Sequence, residues 1–95
     1  MKIKLTRQAS DDLEAVHDYI QQENPDAATR TVLGILDAIE GLSEFPNIGR
    51  PGRVHGTREL VVNRTPFIVA YKVTNNVVWV LRVLHAARRW PEKLP

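Results

Sequence analysis

Phe67-Ile68-Val69-Ala70-Tyr71-Lys72-Val73-Thr74-Asn75-Asn76-Val77-Val78-Trp79-Val80-Leu81-Arg82-Val83-Leu84-His85 is the stretch on which the fold turns. Both halves are rich in β-branched and aromatic residues, and Thr74-Asn75-Asn76 between them suits a tight hairpin turn. Arg58 to Asn63 has the same character, so three strands are expected to form an antiparallel meander. Alternation along the last strand sets Val77, Trp79, Leu81 and Val83 on one face and Val78, Val80, Arg82 and Leu84 on the other. Both faces are therefore largely apolar, and each needs a cover.

The residues before the meander supply one cover. Lys2 to Leu5 alternates polar and apolar residues as a short strand does, and Thr6 can cap the helix behind it. Ala9, Leu13, Val16 and Ile20 recur at helical spacing and form one apolar face. Asn24-Pro25-Asp26 then restarts the chain: Asn24 suits the N-cap, Pro25 the first helical position, and Asp26 the positive end of the helix dipole. Ala28, Val32, Ile35, Leu36, Ile39 and Leu42 give the second helix its own apolar face, which ends before Phe45-Pro46. With so short a link the two helices form an antiparallel hairpin. Pro46 to Thr57 holds Pro46, Gly49, Pro51, Gly52 and Gly56 and is expected to be a long loop. The expected fold is α+β in the order β-α-α-β-β-β, a single domain over residues 1–95. The helical hairpin covers one sheet face; the other either packs on the C-terminal tail or stays open to a partner. An open apolar face would accept an amphipathic segment, at roughly 25 cal/mol per Å² buried.

Composition narrows the chemistry. The 43% hydrophobic and 25% charged residues are those of a folded globular chain, which argues against disorder. The chain has no cysteine, which excludes disulfides, thiol nucleophiles and iron–sulfur clusters and leaves the cytosol as the expected compartment. No apolar run reaches the ~20 residues of a membrane helix, so no membrane association is expected. The net charge of +2 conceals a separation: residues 1–49 carry −5 and residues 50–95 carry +7. Such a skew steers anionic partners, nucleic acid or an acidic protein segment, to the C-terminal half.

Several constellations have plain readings. Asp11, Asp12, Glu14 and Asp18 spread around the polar side of the first helix and are expected to be solvated; no metal or cofactor set is expected. His17 and His55 lack partners in sequence and are expected at the surface. Gly49-Arg50-Pro51-Gly52-Arg53 lacks the Gly-Lys-Ser/Thr ending of a phosphate-binding loop. Arg82, His85, Arg88, Arg89 and Trp90, with Arg58 at the start of a neighbouring strand, carry the most chemistry. His with Arg could supply the acid, base and phosphate clamp of RNA cleavage, with Arg58, Arg82 and His85 in those roles. Alternatively all six contact a macromolecule, Arg and Trp being the side chains that anchor interfaces.

The order of these pieces resembles the RelE/ParE superfamily of toxins from type II toxin–antitoxin modules. The resemblance is carried by Tyr19-Ile20 in the first helix, Phe45-Pro46 with Gly49-Arg50, Gly56-Thr57-Arg58-Glu59-Leu60, Val69-Ala70-Tyr71-Lys72-Val73, and Val80-Leu81-Arg82-Val83-Leu84-His85-Ala86-Ala87-Arg88. It implies a toxin held inactive by a cognate antitoxin. RelE-like members cut messenger RNA on the ribosome, whereas ParE-like members inhibit DNA gyrase. RNA-cleaving relatives carry an arginine where this chain has Ile68, and further catalytic Arg and Tyr where it has Ala86 and no later tyrosine. The ending Leu84 to Pro91 looks more like ParE. The resemblance therefore implies a ParE-like, non-enzymatic inhibitor of DNA gyrase with a ParD-like antitoxin and no catalytic residue. A ribosome-dependent mRNA endonuclease, or a degenerate toxin serving only its antitoxin, are the alternatives.

Overall fold

The computed structural model describes residues 1–95. Its elements are β1 (Lys2–Leu5), α1 (Arg7–Gln21), α2 (Pro25–Gly41), β2 (Arg50–Pro51), β3 (Arg58–Val61), β4 (Phe67–Thr74) and β5 (Val77–His85). Both helix starts follow from their caps. The Thr6 hydroxyl accepts the Ala9 N–H at 3.1 Å, and the Asn24 side chain accepts the Ala27 N–H at 3.0 Å, ahead of Pro25. Asn75 and Asn76 turn the β4–β5 hairpin with φ of 51° and 62°, the left-handed backbone of a two-residue hairpin loop.

The five strands form one sheet in the order β1-β5-β4-β3-β2. Two details depart from the sequence expectation. β1 lies parallel to β5, with Lys2 opposite Val77 and Leu5 opposite Val80, so the sheet is mixed rather than a pure meander. Inside the expected loop, Arg50 and Pro51 add a short antiparallel strand against Glu59 and Arg58. Pro51 is tolerated there because β2 is the edge, where no further strand needs its missing N–H.

A β-bulge revises the assignment of faces. Tyr71 pairs with Val80 but Ala70 pairs with Arg82, leaving Leu81 without a partner. One extra residue inverts the alternation that follows. Val83 therefore joins Val80 in the core under the helices, with Ala9, Ile35, Ile39, Val62 and Val69, while Val78 packs with Leu42 and Tyr71. Each buried valine, leucine or isoleucine among them contributes about 1.5–3 kcal/mol.

The opposite face is not bare. Ile68, Ala70 and Leu81 are 3%, 0% and 2% exposed although they alternate away from the helix-facing residues. The tail turns back after β5, where the Trp90 indole N–H donates to the His85 carbonyl at 3.2 Å. Arg53, whose backbone N–H donates to Glu59, stacks its guanidinium 3.7 Å from the Trp90 ring centroid. The C-terminal tail thus folds back toward this sheet, with Trp90 held between the His85 carbonyl and Arg53.

Candidate functional site

The site is built where β5 outruns β1. Pairing of β1 with β5 stops at Leu5 and Val80, leaving the next backbone groups of β5 on an open edge. Side chains fill that edge: the Thr6 hydroxyl donates to the Leu81 carbonyl at 2.7 Å, and Asp12 accepts the Val83 N–H at 2.9 Å. Asp12 also receives Arg82 through two bonds, Nε at 2.6 Å and a terminal nitrogen at 2.9 Å. The carboxylate and guanidinium side chains are 17% and 26% exposed, so Asp12 is a structural acid rather than part of a solvated face. The Asp12 hydrogen bond raises the Arg82 pKa above its ordinary value, with desolvation opposing it and the carboxylate's charge adding to it. Arg82 is consequently a neutralised cation.

Beside this pair, α1 and the ends of β4 and β5 enclose a groove of about 630 Å³. Ala15, Val16, Ile20, Phe67 and Val83 give it apolar lining, and Tyr19, Arg64, His85, Arg88 and Arg89 stand around it. The Arg88 guanidinium lies 5.6 Å from the Tyr19 ring centroid. His85 meets Phe67 edge-on at 5.6 Å, and its Nδ1 accepts the Ala87 N–H at 3.1 Å, which assigns the ring proton to Nε2. No carboxylate lies within 4.0 Å of a cationic nitrogen of Arg64, Arg88 or Arg89.

Arg58 is elsewhere. It donates to the carbonyls of Gly49 at 2.7 Å and Asn47 at 3.3 Å, holding the 46–53 loop on the sheet. Arg58 sits opposite Tyr71 and His85 opposite Phe67, a separation along β4 of about 13 Å at 3.3 Å per residue. The groove therefore gathers Arg82, His85, Arg88 and Arg89, but not Arg58, and Trp90 is engaged by Arg53. Arg64 and Tyr19 join the site without having been singled out for it. Arg64 has φ 66°, a left-handed backbone that an arginine does not advertise. Arg82 interrupts an apolar strand and so calls for a counter-charge, but nothing in the sequence singles out Asp12 as the acid that supplies it.

The loop beneath Arg58 depends on Tyr71, which is fully buried. Its hydroxyl accepts the Gly49 N–H at 2.9 Å and donates to the Pro46 carbonyl at 2.8 Å. Burial raises the Tyr71 pKa, while the Gly49 N–H and the charge of Arg58 pull it down. The neutral phenol is thus favoured in the folded state, so this contribution to stability is intact below the unfolded value of about 10 and is lost as pH rises through the higher native value. Urea unfolding at about pH 8 and about pH 11 should show an alkaline loss that shrinks in Tyr71→Phe. That variant should cost about 1–3 kcal/mol at the lower pH, because two loop groups lose their partner. An unchanged alkaline loss in Tyr71→Phe would assign it to other groups.

These features agree with comparisons to known proteins. A family model described as the ParE toxin of type II toxin–antitoxin systems, parDE, matches residues 3–90. The protein Y4kP of Sinorhizobium fredii is 41% identical over 93 residues, covering 98% of this chain and 96% of that one. Toxin RelE2 of Caulobacter vibrioides is 41% identical over 83 residues, covering 87% and 92%. A solved structure of the chromosomal ParDE system from P. aeruginosa superposes with a TM-score of 0.83 at 31% identity, covering 90% of this chain and 95% of that one. With a match running from β1 to Trp90 and a shared fold around the same sheet, the chain belongs to the ParE toxin family of type II toxin–antitoxin systems.

Proposed function

We propose that this toxin acts by binding rather than catalysis, inhibiting DNA gyrase and thereby replication, and that a ParD-like antitoxin neutralises it. One observation carries the reading: the three groups a ribonuclease would need are engaged and dispersed. Arg82 is paired with Asp12, Arg58 is bonded to loop carbonyls, and His85 lies some four residues along the sheet from Arg58. Ile68 is buried in the sheet and offers no donor to a phosphate. Losing even one preorganised donor costs about 100- to 1000-fold in rate, and here several are missing or occupied. The likeness to the ParDE structure supports the same branch and the antitoxin partner.

Purified toxin should block gyrase supercoiling at micromolar concentration. The double variant Arg88→Glu, Arg89→Glu should weaken that inhibition at least about 10-fold, since both side chains are exposed and like-charge contacts at an interface cost several kcal/mol. Its unfolding midpoint should not move. Absence of inhibition by the parent chain would remove the gyrase reading.

A second reading, mRNA cleavage on the ribosome, draws on the relative named RelE2. Primer extension on translated messages after induction separates the two, because new codon-positioned cuts appear only with a nuclease. Induction without growth arrest would instead indicate a degenerate toxin.

A further inference from the structure

We infer that the sheet face turned away from the helices binds a single-stranded nucleic acid segment, with a base stacked on Trp79 and phosphates met by Lys2, Lys4 and Lys72. The inference goes beyond the gyrase reading and does not depend on it.

Strand register assembles the site from distant parts of the chain. Lys4 pairs with Trp79 on one side and Lys72 pairs with it on the other, so the three form one row across β1, β5 and β4. Lys2 stands in the next row, with Val77 and Thr74. Ile3, Tyr71, Val78 and Val80 pack into the core under the helices, and alternation turns Lys2, Lys4, Lys72 and Trp79 outward. Two strand spacings put the Lys4 and Lys72 backbones about 10 Å apart, and two residues along β1 put Lys2 about 7 Å from Lys4. Lys2 and Lys4 are exposed, Lys72 and Trp79 partly so.

The two layers of the fold sort its charge. Most of the acids lie on or beside the helices, while Glu59, the one acid within a strand, is buried against Arg50 and Arg53. Among the strand cations, Arg50 meets Glu59, Arg82 meets Asp12 and Arg58 meets loop carbonyls. That leaves Lys2, Lys4 and Lys72 with no carboxylate within 4.0 Å. The face around Trp79 is therefore positive and turned away from the acidic hairpin, and such a field draws a polyanion to it.

Trp79 selects among polyanions. The Lys4 ammonium lies 5.5 Å from the centroid of its ring, placed to meet the phosphate of a nucleotide whose base stacks there. Base–aromatic stacking is worth more than an exposed cation–π contact, so an arriving base displaces the ammonium from the ring at a net gain. A duplex keeps its bases stacked on one another and offers the indole nothing. An acidic peptide brings no comparable ring, and Val77 and Thr74 beside the row give its apolar side chains little to bury. His85 is six residues further along β5, about 20 Å away, so the row is separate from the groups considered for RNA cleavage.

The test uses the full chain with labelled 12-nucleotide oligothymidylate and oligouridylate, read by fluorescence anisotropy. Binding of either supports the inference, and the tighter of the two names the sugar. The slope of log affinity against log salt should be about −2, for three phosphate contacts at about 0.7 each. Lys4→Glu, Lys72→Glu should weaken binding at least about 10-fold and lower that slope by about 1.4. Arg7→Glu, Arg30→Glu changes the net charge by the same amount on the exposed side of the helices and should weaken it less than about 3-fold. Trp79→Leu should weaken binding at least about 5-fold, whereas Trp79→Phe, which keeps a ring, should retain most of it. In a Trp90→Phe chain Trp79 is the one remaining indole, and its fluorescence should be quenched on binding. No binding at low salt, equal affinity for a 12-base-pair duplex, equal loss in the helix variant, or an unquenched Trp79 would each overturn the inference. Supercoiling inhibition is read in a separate assay, so this inference and the gyrase reading fail separately.

Discussion

Replacing Asp12 with alanine should lower the unfolding free energy by about 3 kcal/mol, the loss expected when a largely buried ion pair is broken from one side. Two groups lose their partner at once: the Arg82 guanidinium, which keeps its charge, and the Val83 N–H at the open edge of β5. The side chains' exposures of 17% and 26% admit some water, which holds the expected loss at the low end of the range for buried pairs. For a chain of this size the melting temperature should fall by roughly 12–20 °C. Asp12→Asn should cost less, because its amide oxygen still accepts from Val83. The double variant Asp12→Leu, Arg82→Leu should recover much of the loss, since replacing both members leaves no unpaired charge. Calorimetry of the parent chain and the three variants decides it. An Asp12→Ala loss below about 0.5 kcal/mol would make the contact an ordinary surface pair. The same experiment bears on function, since a loosened Arg82 would also alter the charge of the groove.

What was legible in the sequence was what short-range physics determines. The apolar spacing of Ala9, Leu13, Val16 and Ile20, the caps Thr6 and Asn24, and the Asn75-Asn76 turn all act within a few residues, and each element formed where those signals stood. What was not legible depends on contacts between distant segments. Asp12 and Arg82 are 70 positions apart, and nothing around Asp12 distinguishes it from the exposed acids Asp11 and Glu14. The bulge at Leu81 arises where β1 ends and Thr6 takes over the Leu81 carbonyl, so it depends on a neighbouring strand that alternation within β5 cannot report. β2 exists because Arg50 and Arg53 meet buried Glu59 and because Tyr71 and Arg58 hold the preceding loop, contacts across four different segments.

The candidate site divides the same way. Its charge was visible in composition, and Arg88 and Arg89 stand exposed at the groove as their sequence position suggested. The division of labour among the arginines was not. Arg58 and Arg82 look identical to Arg88 and Arg89 as letters, yet the first two satisfy carbonyls and a carboxylate within the fold while the others face solvent. Only the three-dimensional arrangement separates cations that hold the fold from cations that face solvent.

Gly49→Ala should cost about 3 kcal/mol, combining overpacking with lost hydrogen bonds. Gly49 read as a simple breaker, but its backbone is pressed against the sheet. A Cβ there would stand 2.7 Å from both the Cε1 and the hydroxyl of Tyr71, and 3.0 Å from the Glu59 carbonyl oxygen. Tyr71 is fully buried and cannot swing away, so the loop would have to lift. Lifting it breaks the Gly49 N–H bond to Tyr71 and the Arg58 bond to the Gly49 carbonyl. Gly34, in the interior of α2, has nothing within 4 Å of where an alanine methyl would stand, and alanine there should instead stabilise by about 0.5–1 kcal/mol through helix propensity. The cause can be isolated with a double-mutant cycle. In a Tyr71→Leu background, itself costly because a large buried ring is lost, the further penalty of Gly49→Ala should shrink below about 1 kcal/mol, since the obstructing atoms are gone. A penalty that stays the same in both backgrounds would place the strain against Glu59 rather than Tyr71, and the loop would then be held by the strand and not by the phenol.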